Sequence, residues 1–161
     1  MRAGRGFTLI EMVVVVAIVG LLVAAAVPLQ EVVLRRAQEQ ALRDALRTLR
    51  GALDEHRRAV LDKRIAPGPD GTPWPPSLDV LVTGIPLVDE QGQPRPGGAR
   101  LYLLRRLPRD PFADRALPAA ETWNLRASSA LPGQYGGGKD VFDVASRSEA
   151  VALDGSRVAD W

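Results

Sequence analysis

The sequence predicts an α+β chain, a long N-terminal α-helix whose second half packs on a small antiparallel β-sheet. Three observations predict it. Residues 7–29 form an apolar run interrupted by one charge, Glu11. Residues 42–60 repeat apolar side chains at helical spacing. Beyond Pro67 the chain changes to proline and glycine punctuation between short segments that alternate apolar and polar residues. With 161 residues, 46 % of them hydrophobic, the chain is long enough for one small domain carried on an extension.

The first element is the run FTLIEMVVVVAIVGLLVAAAVPL over residues 7–29. As a helix at about 1.5 Å per residue it spans roughly 35 Å, enough for a bilayer core of about 30 Å. Arg2 and Arg5 precede it, which fits a cytoplasmic start, although Arg35 and Arg36 soon after dilute the charge bias. The residues admit three readings. One is a removable secretory signal with a small-residue site at Ala24-Ala25-Ala26. Another is a plain single-span anchor with Glu11 near the interface. In the third, Glu11 has a task. A carboxylate in such a segment costs roughly 2.5–3.5 kcal/mol at a bilayer centre and needs a cationic partner. A second copy of the chain supplies one if proteolysis between Gly6 and Phe7 frees an amine at matching depth. Pro28 removes a helix hydrogen bond and is expected to kink or locally melt the helix.

The second element is amphipathic. Leu42, Leu46, Leu49, Leu53, His56 and Val60 recur at alternating intervals of four and three, with Ala45, Ala52 and Ala59 beside them. Arg43, Asp44, Arg47, Arg50, Asp54, Glu55, Arg57 and Arg58 fill the other face, so one side of residues 30–64 is to be buried. His56 lies on the apolar stripe and reads as a packed side chain. Pro67-Gly68-Pro69 is expected to end the helix near residue 64.

Residues 65–161 then form the globular part. Ser77 is placed to cap a short helix over residues 78–83 that Gly84 stops. Residues 89–100, DEQGQPRPGGAR, have the composition of an exposed loop. Residues 123–127 and 140–144 alternate as strands do, with Gly136-Gly137-Gly138 as a connection between them. Residues 150–153 are a third strand candidate, closed by Asp154-Gly155.

Composition excludes several function classes. There is no cysteine, which removes disulfide scaffolds, thiolate zinc sites and cysteine nucleophiles. A single histidine leaves few acid–base candidates. The net charge of +2 is too even for a nucleic-acid binder. Gly136-Gly137-Gly138-Lys139 lacks the spacing and the hydroxyl residue of a phosphate loop, and Ser146 and Ser148 have no nucleophile-elbow context. The chain is expected not to be an enzyme.

The residues Arg5-Gly6-Phe7-Thr8-Leu9-Ile10-Glu11, followed by the apolar run, resemble the processing signal of type IV pilins and type II secretion pseudopilins. The order LPRDPF at 107–112, Trp123, DVFDV at 140–144 and the final Asp160-Trp161 is similar to the major pseudopilin of type II secretion. The resemblance implies a pilin-like fold with four regions. These are a leader at 1–6, a transmembrane and filament-core helix at 7–29, an amphipathic helix at 30–64 and a β domain at 65–161. It implies that a prepilin peptidase cuts between Gly6 and Phe7 and methylates Phe7, and that Glu11 pairs with a neighbouring Phe7 amine during assembly. It further implies a single-pass protein of the bacterial inner membrane with its C-terminal part in the periplasm. Copies of it would join a homopolymeric fibre that aids export of folded proteins. The partners implied are the peptidase, minor pseudopilins, a platform protein, an assembly ATPase and, before assembly, membrane lipid. Major pseudopilins often hold calcium before their C-terminus, which makes Asp143 and Asp154 the candidate ligands, provided the fold brings their loops together. The alternatives are a type IV pilin for adhesion, motility or DNA uptake and, from another class, a membrane-anchored periplasmic binding module.

Overall fold

A computed structural model describes residues 7–161, apart from the side chains of residues 24–29. The leader expected at 1–6, Gly6 included, lies outside the described residues. The chain divides into two compact units at residues 37 and 38, the second being Gln38–Trp161.

Helix α1 runs from Leu9 to Leu61 and is assigned without a break across Pro28, whose side chain lies outside the described ones. Local melting at Pro28 is therefore not found. Nor does the structure carry the expected transmembrane span: among the described residues no helix is long and apolar enough to cross a membrane.

The helix ends three residues before the expected position. Lys63 takes a left-handed conformation with φ 55°. Its N–H donates to the Val60 carbonyl at 2.9 Å, and the Arg64 N–H donates to the Ala59 carbonyl at 2.8 Å. This pair of bonds is a Schellman cap, and it closes the helix before the proline cluster is reached.

Within the second unit the predicted stripe is buried. Leu42, Leu46, Leu49 and Leu53 pack with Trp74, Leu78, Leu81, Trp123, Val144 and Val158 in one core. A smaller cluster of Ala59, Ile65 and Ile85 lies at the C-terminal end of α1. Helix α2 is only Val80–Thr83, and Ser77 does not cap it. Leu78 is instead drawn into the core. Gly84 ends α2 at φ 85°, where a Cβ would meet the Tyr102 ring at 2.6 Å.

The single small sheet that was expected is two separate antiparallel pairs. Strand β1 (Ile85–Pro86) pairs with β2 (Arg100–Leu101). Strand β3 (Trp123–Arg126) pairs with β4 (Asp143–Ser146), with Trp123 opposite Ser146 and Arg126 opposite Asp143. The strand predicted at 140–144 begins late because its first residues bond elsewhere: the Val141 N–H donates to the Pro75 carbonyl, and the Asp140 carboxylate is held by Thr72 and Ser128. The third strand candidate contributes one isolated bridge, Val151 to Arg157, because Ala152 bonds across the Asp154-Gly155 turn to Ser156.

Candidate processing and assembly site

The N-terminal turn of α1 is built by two residues three apart. The Glu11 N–H donates to Thr8 Oγ1 at 3.3 Å, and the Thr8 N–H donates to Glu11 Oε2 at 3.4 Å. This is a capping box, in which each side chain satisfies a backbone donor that the helix cannot. The carboxylate also sits at the positive end of the helix dipole. Glu11 thus has a local task at the start of the helix. The signal was legible as Thr-x-x-Glu before an apolar run, and Thr8 is the functional residue that the sequence reading passed over.

Phe7 precedes this cap and is 72 % exposed. From Leu9 to Val23 every side chain is exposed, although Glu11 is the one charged residue and Gly20 the one glycine among apolar neighbours. An apolar surface of this extent marks a place where lipid or protein is to be bound.

Residues 1–27 match the family described as the prokaryotic N-terminal methylation motif. The chain carries a prepilin-type N-terminus. The match supports a type IV pilin-like protein. No curated protein and no solved structure matches this chain.

The two carboxylates proposed for calcium are otherwise engaged. Asp143 accepts from Arg50 Nε at 2.9 Å and from an Arg126 terminal nitrogen at 3.1 Å. Asp154 accepts from the Ser156 N–H and hydroxyl and lies 3.3 Å from Arg43. The Ser156 hydrogen bonds, with help from Arg43, hold this exposed carboxyl below its usual pKa. Among the described residues no three His, Cys, Asp or Glu side chains gather as a metal ion needs. Arg50 and Arg126 are the cations beside Asp143 among the described residues.

Arg50, with Glu39 and Arg43, joins α1 to the C-terminal part. It bonds Asp143, the Val144 carbonyl and the Trp161 carbonyl. Arg43 stands 4.2 Å over the Trp161 ring. The sequence reading placed both arginines on a solvated face. Only the fold shows that the C-terminal segment comes back to them.

The LPRDPF segment is organised by Asp110, which is buried. Its Oδ1 accepts from the Phe112 N–H at 2.8 Å and its Oδ2 from the Ser146 hydroxyl at 2.6 Å. Trp123 donates its indole N–H to the Pro108 carbonyl at 3.0 Å. His56 is buried as predicted, with Nδ1 2.9 Å from the Pro73 carbonyl. Burial lowers its pKa, and the bond to Pro73 offsets only part of that.

Proposed function

We propose that this chain is a structural subunit of a type II secretion pseudopilus and not an enzyme. The reading rests on one observation: a prepilin-type motif runs directly into a capped helix whose apolar side chains are exposed over 9–23. A prepilin peptidase cuts between Gly6 and Phe7 and methylates Phe7. Before assembly, the apolar segment, which continues in sequence to Val27, is held in the inner membrane with the globular unit in the periplasm. A platform protein and an assembly ATPase then draw copies into a periplasmic fibre with minor pseudopilins, and the fibre aids export of folded proteins. In the fibre, helix-to-helix contacts replace lipid contacts. Glu11 gains the Phe7 ammonium of a neighbour, a bond between two ionised groups where its present one, at 3.4 Å, comes from the neutral Thr8 N–H.

Mass determination of the native N-terminus tests processing. Methylated Phe7 is expected, and Met1 retained in functioning protein overturns the proposal. Two substitutions separate the tasks of Glu11. Glu11→Gln keeps a side chain that can close the capping box but cannot pair with an ammonium. Both Glu11→Gln and Glu11→Ala are expected to be processed and to fail in assembly. Normal fibres from Glu11→Gln would leave capping as its whole role. Long surface fibres in place of periplasmic ones would reassign the chain to the type IV pilins.

A further inference from the structure

Two exposed features of opposite charge lie at opposite ends of the α1 stretch inside the unit Gln38–Trp161. The first is an arm formed by residues 88–99. Its base is tied just beyond α1 by the Ile65–Leu87 bridge and by the Val88 N–H, which donates to the Arg64 carbonyl. Residues 90–100 are exposed throughout. The arm nevertheless has a defined shape. Asp89 Oδ1 accepts the Gln91 and Gln93 N–H groups, and the Arg95 N–H donates to the Leu87 carbonyl. The guanidinium groups of Arg95 and Arg100 turn back to the Val88 and Gly84 carbonyls. Asp89 and Glu90 place two carboxylates in the turn, and with Arg95 directed back at the Val88 carbonyl the arm keeps a negative balance of one charge.

The second feature is a groove of about 750 Å³ where the irregular segment 104–109 crosses α1. Small side chains of Ala41, Ala45 and Thr48 line the helix side, and Arg105 and Arg106 stand exposed on the other. The ion pairs among the described residues use neither these two arginines nor Glu90. Asp44, at the groove margin, is neutralised by Arg47 at 2.9 Å.

Thr48 and the end of α1 at Leu61 are separated by roughly 20 Å at about 1.5 Å per residue, and no ion pair among the described residues joins Asp89 or Glu90 to Arg105 or Arg106 of the same chain. We infer that the acidic arm tip of one copy docks in the Arg105 and Arg106 groove of the next. The contact joins two different surfaces displaced along α1. Such a contact does not close on itself and propagates an open filament. It rests on the proposed polymerisation and specifies which faces of the globular unit meet.

The absence of cysteine permits a clean test in the full-length chain. Two differently tagged copies, one Glu90→Cys and one Arg106→Cys, are co-expressed and oxidised. A disulfide between the two tags is expected, with none from Glu90→Cys paired with Asp79→Cys, an exposed site outside the groove. In parallel, the double variant Arg105→Glu and Arg106→Glu should lower fibre yield by about tenfold through like-charge contact with Glu90, and adding Glu90→Arg should restore most of it. All the substituted side chains are exposed, so unchanged thermal melts are expected to confirm folding. Fibres of the Glu90→Cys and Arg106→Cys copies that form normally but give no cross-link between the tags, or full yield from the double variant, overturn the contact alone. A wild-type chain that forms no fibre overturns the polymerisation reading and the contact with it.

Discussion

Residues 9–23 and residues 42–59 belong to one helix and differ in where their apolar side chains go. In the first stretch valine, leucine and isoleucine are exposed on every side. In the second, Leu42, Leu49 and Ala59 are fully buried while Arg43, Arg47, Arg57 and Arg58 between them are exposed. A helix that is hydrophobic all round has no preferred face, so a single small domain cannot cover it, whereas an apolar stripe needs only one layer. The difference shows which part of the chain buries its apolar side chains by itself and which leaves them exposed.

Substitutions can break or sharpen that contrast. Trp123→Ala removes the largest fully buried side chain and its bond to Pro108. It is expected to cost about 3–5 kcal/mol in denaturant unfolding. Val16→Ala in the exposed stretch should stay within about 0.5 kcal/mol in the same measurement while impairing assembly. If Val16→Ala destabilised the protein as strongly, the two stretches would not be independent. Asp110→Ala leaves the Ser146 hydroxyl and the Phe112 N–H without their acceptor, and about 1–3 kcal/mol should be lost. A smaller gain of about 1 kcal/mol is expected from Lys63→Gly, because glycine adopts the left-handed cap without a Cβ penalty. Unfolding titrations of the two proteins side by side would measure it.

The smallest effect is on pH dependence. His56 binds its proton less readily in the folded state than at its ordinary pKa of 6.5. Its contribution is therefore constant above about 6.5 and declines as pH falls toward the lowered folded value, because the unfolded chain takes up the proton first. His56→Gln should flatten that part of the stability curve. Asp140 acts in the same direction at lower pH. Burial raises its pKa, but bonds from the Ser128 hydroxyl, Thr72 and the Ser128 N–H outweigh burial and leave it below 3.8. The stability it contributes is present above 3.8 and is lost as pH falls through the folded value. Asp140→Asn should remove that loss.

Much of this was legible before any coordinates. The stripe from Leu42 to Val60 is a periodic signal over several turns, and its residues are buried up to His56, with Val60 half-buried at the end of the helix. The Gly84 stop and the 123–126 strand were visible for similar local reasons. Lys63 was not legible as a helix terminator, because a lysine in the left-handed region carries no compositional mark. The merging of three strand candidates into one sheet also failed. Alternation identifies a half-buried segment but does not say which neighbour accepts its hydrogen bonds, and here Pro75, Ser128 and Ser156 competed for them. At the N-terminus the Thr8 and Glu11 box was readable from spacing and was obscured by the charge argument about Glu11.

The amino-acid order by itself determined the processing motif, the apolar segment that follows it and the amphipathic face, because each depends on residues close together in the chain. Tertiary structure alone decided what Asp143, Asp154 and Arg50 do. Arg50 and Asp143 are 93 residues apart in sequence and Arg43 and Asp154 are 111 apart, and only folding brings the first pair to 2.9 Å and the second to 3.3 Å. A carboxylate takes its chemistry from the nearest cation, and which cation is nearest is a property of the packed chain.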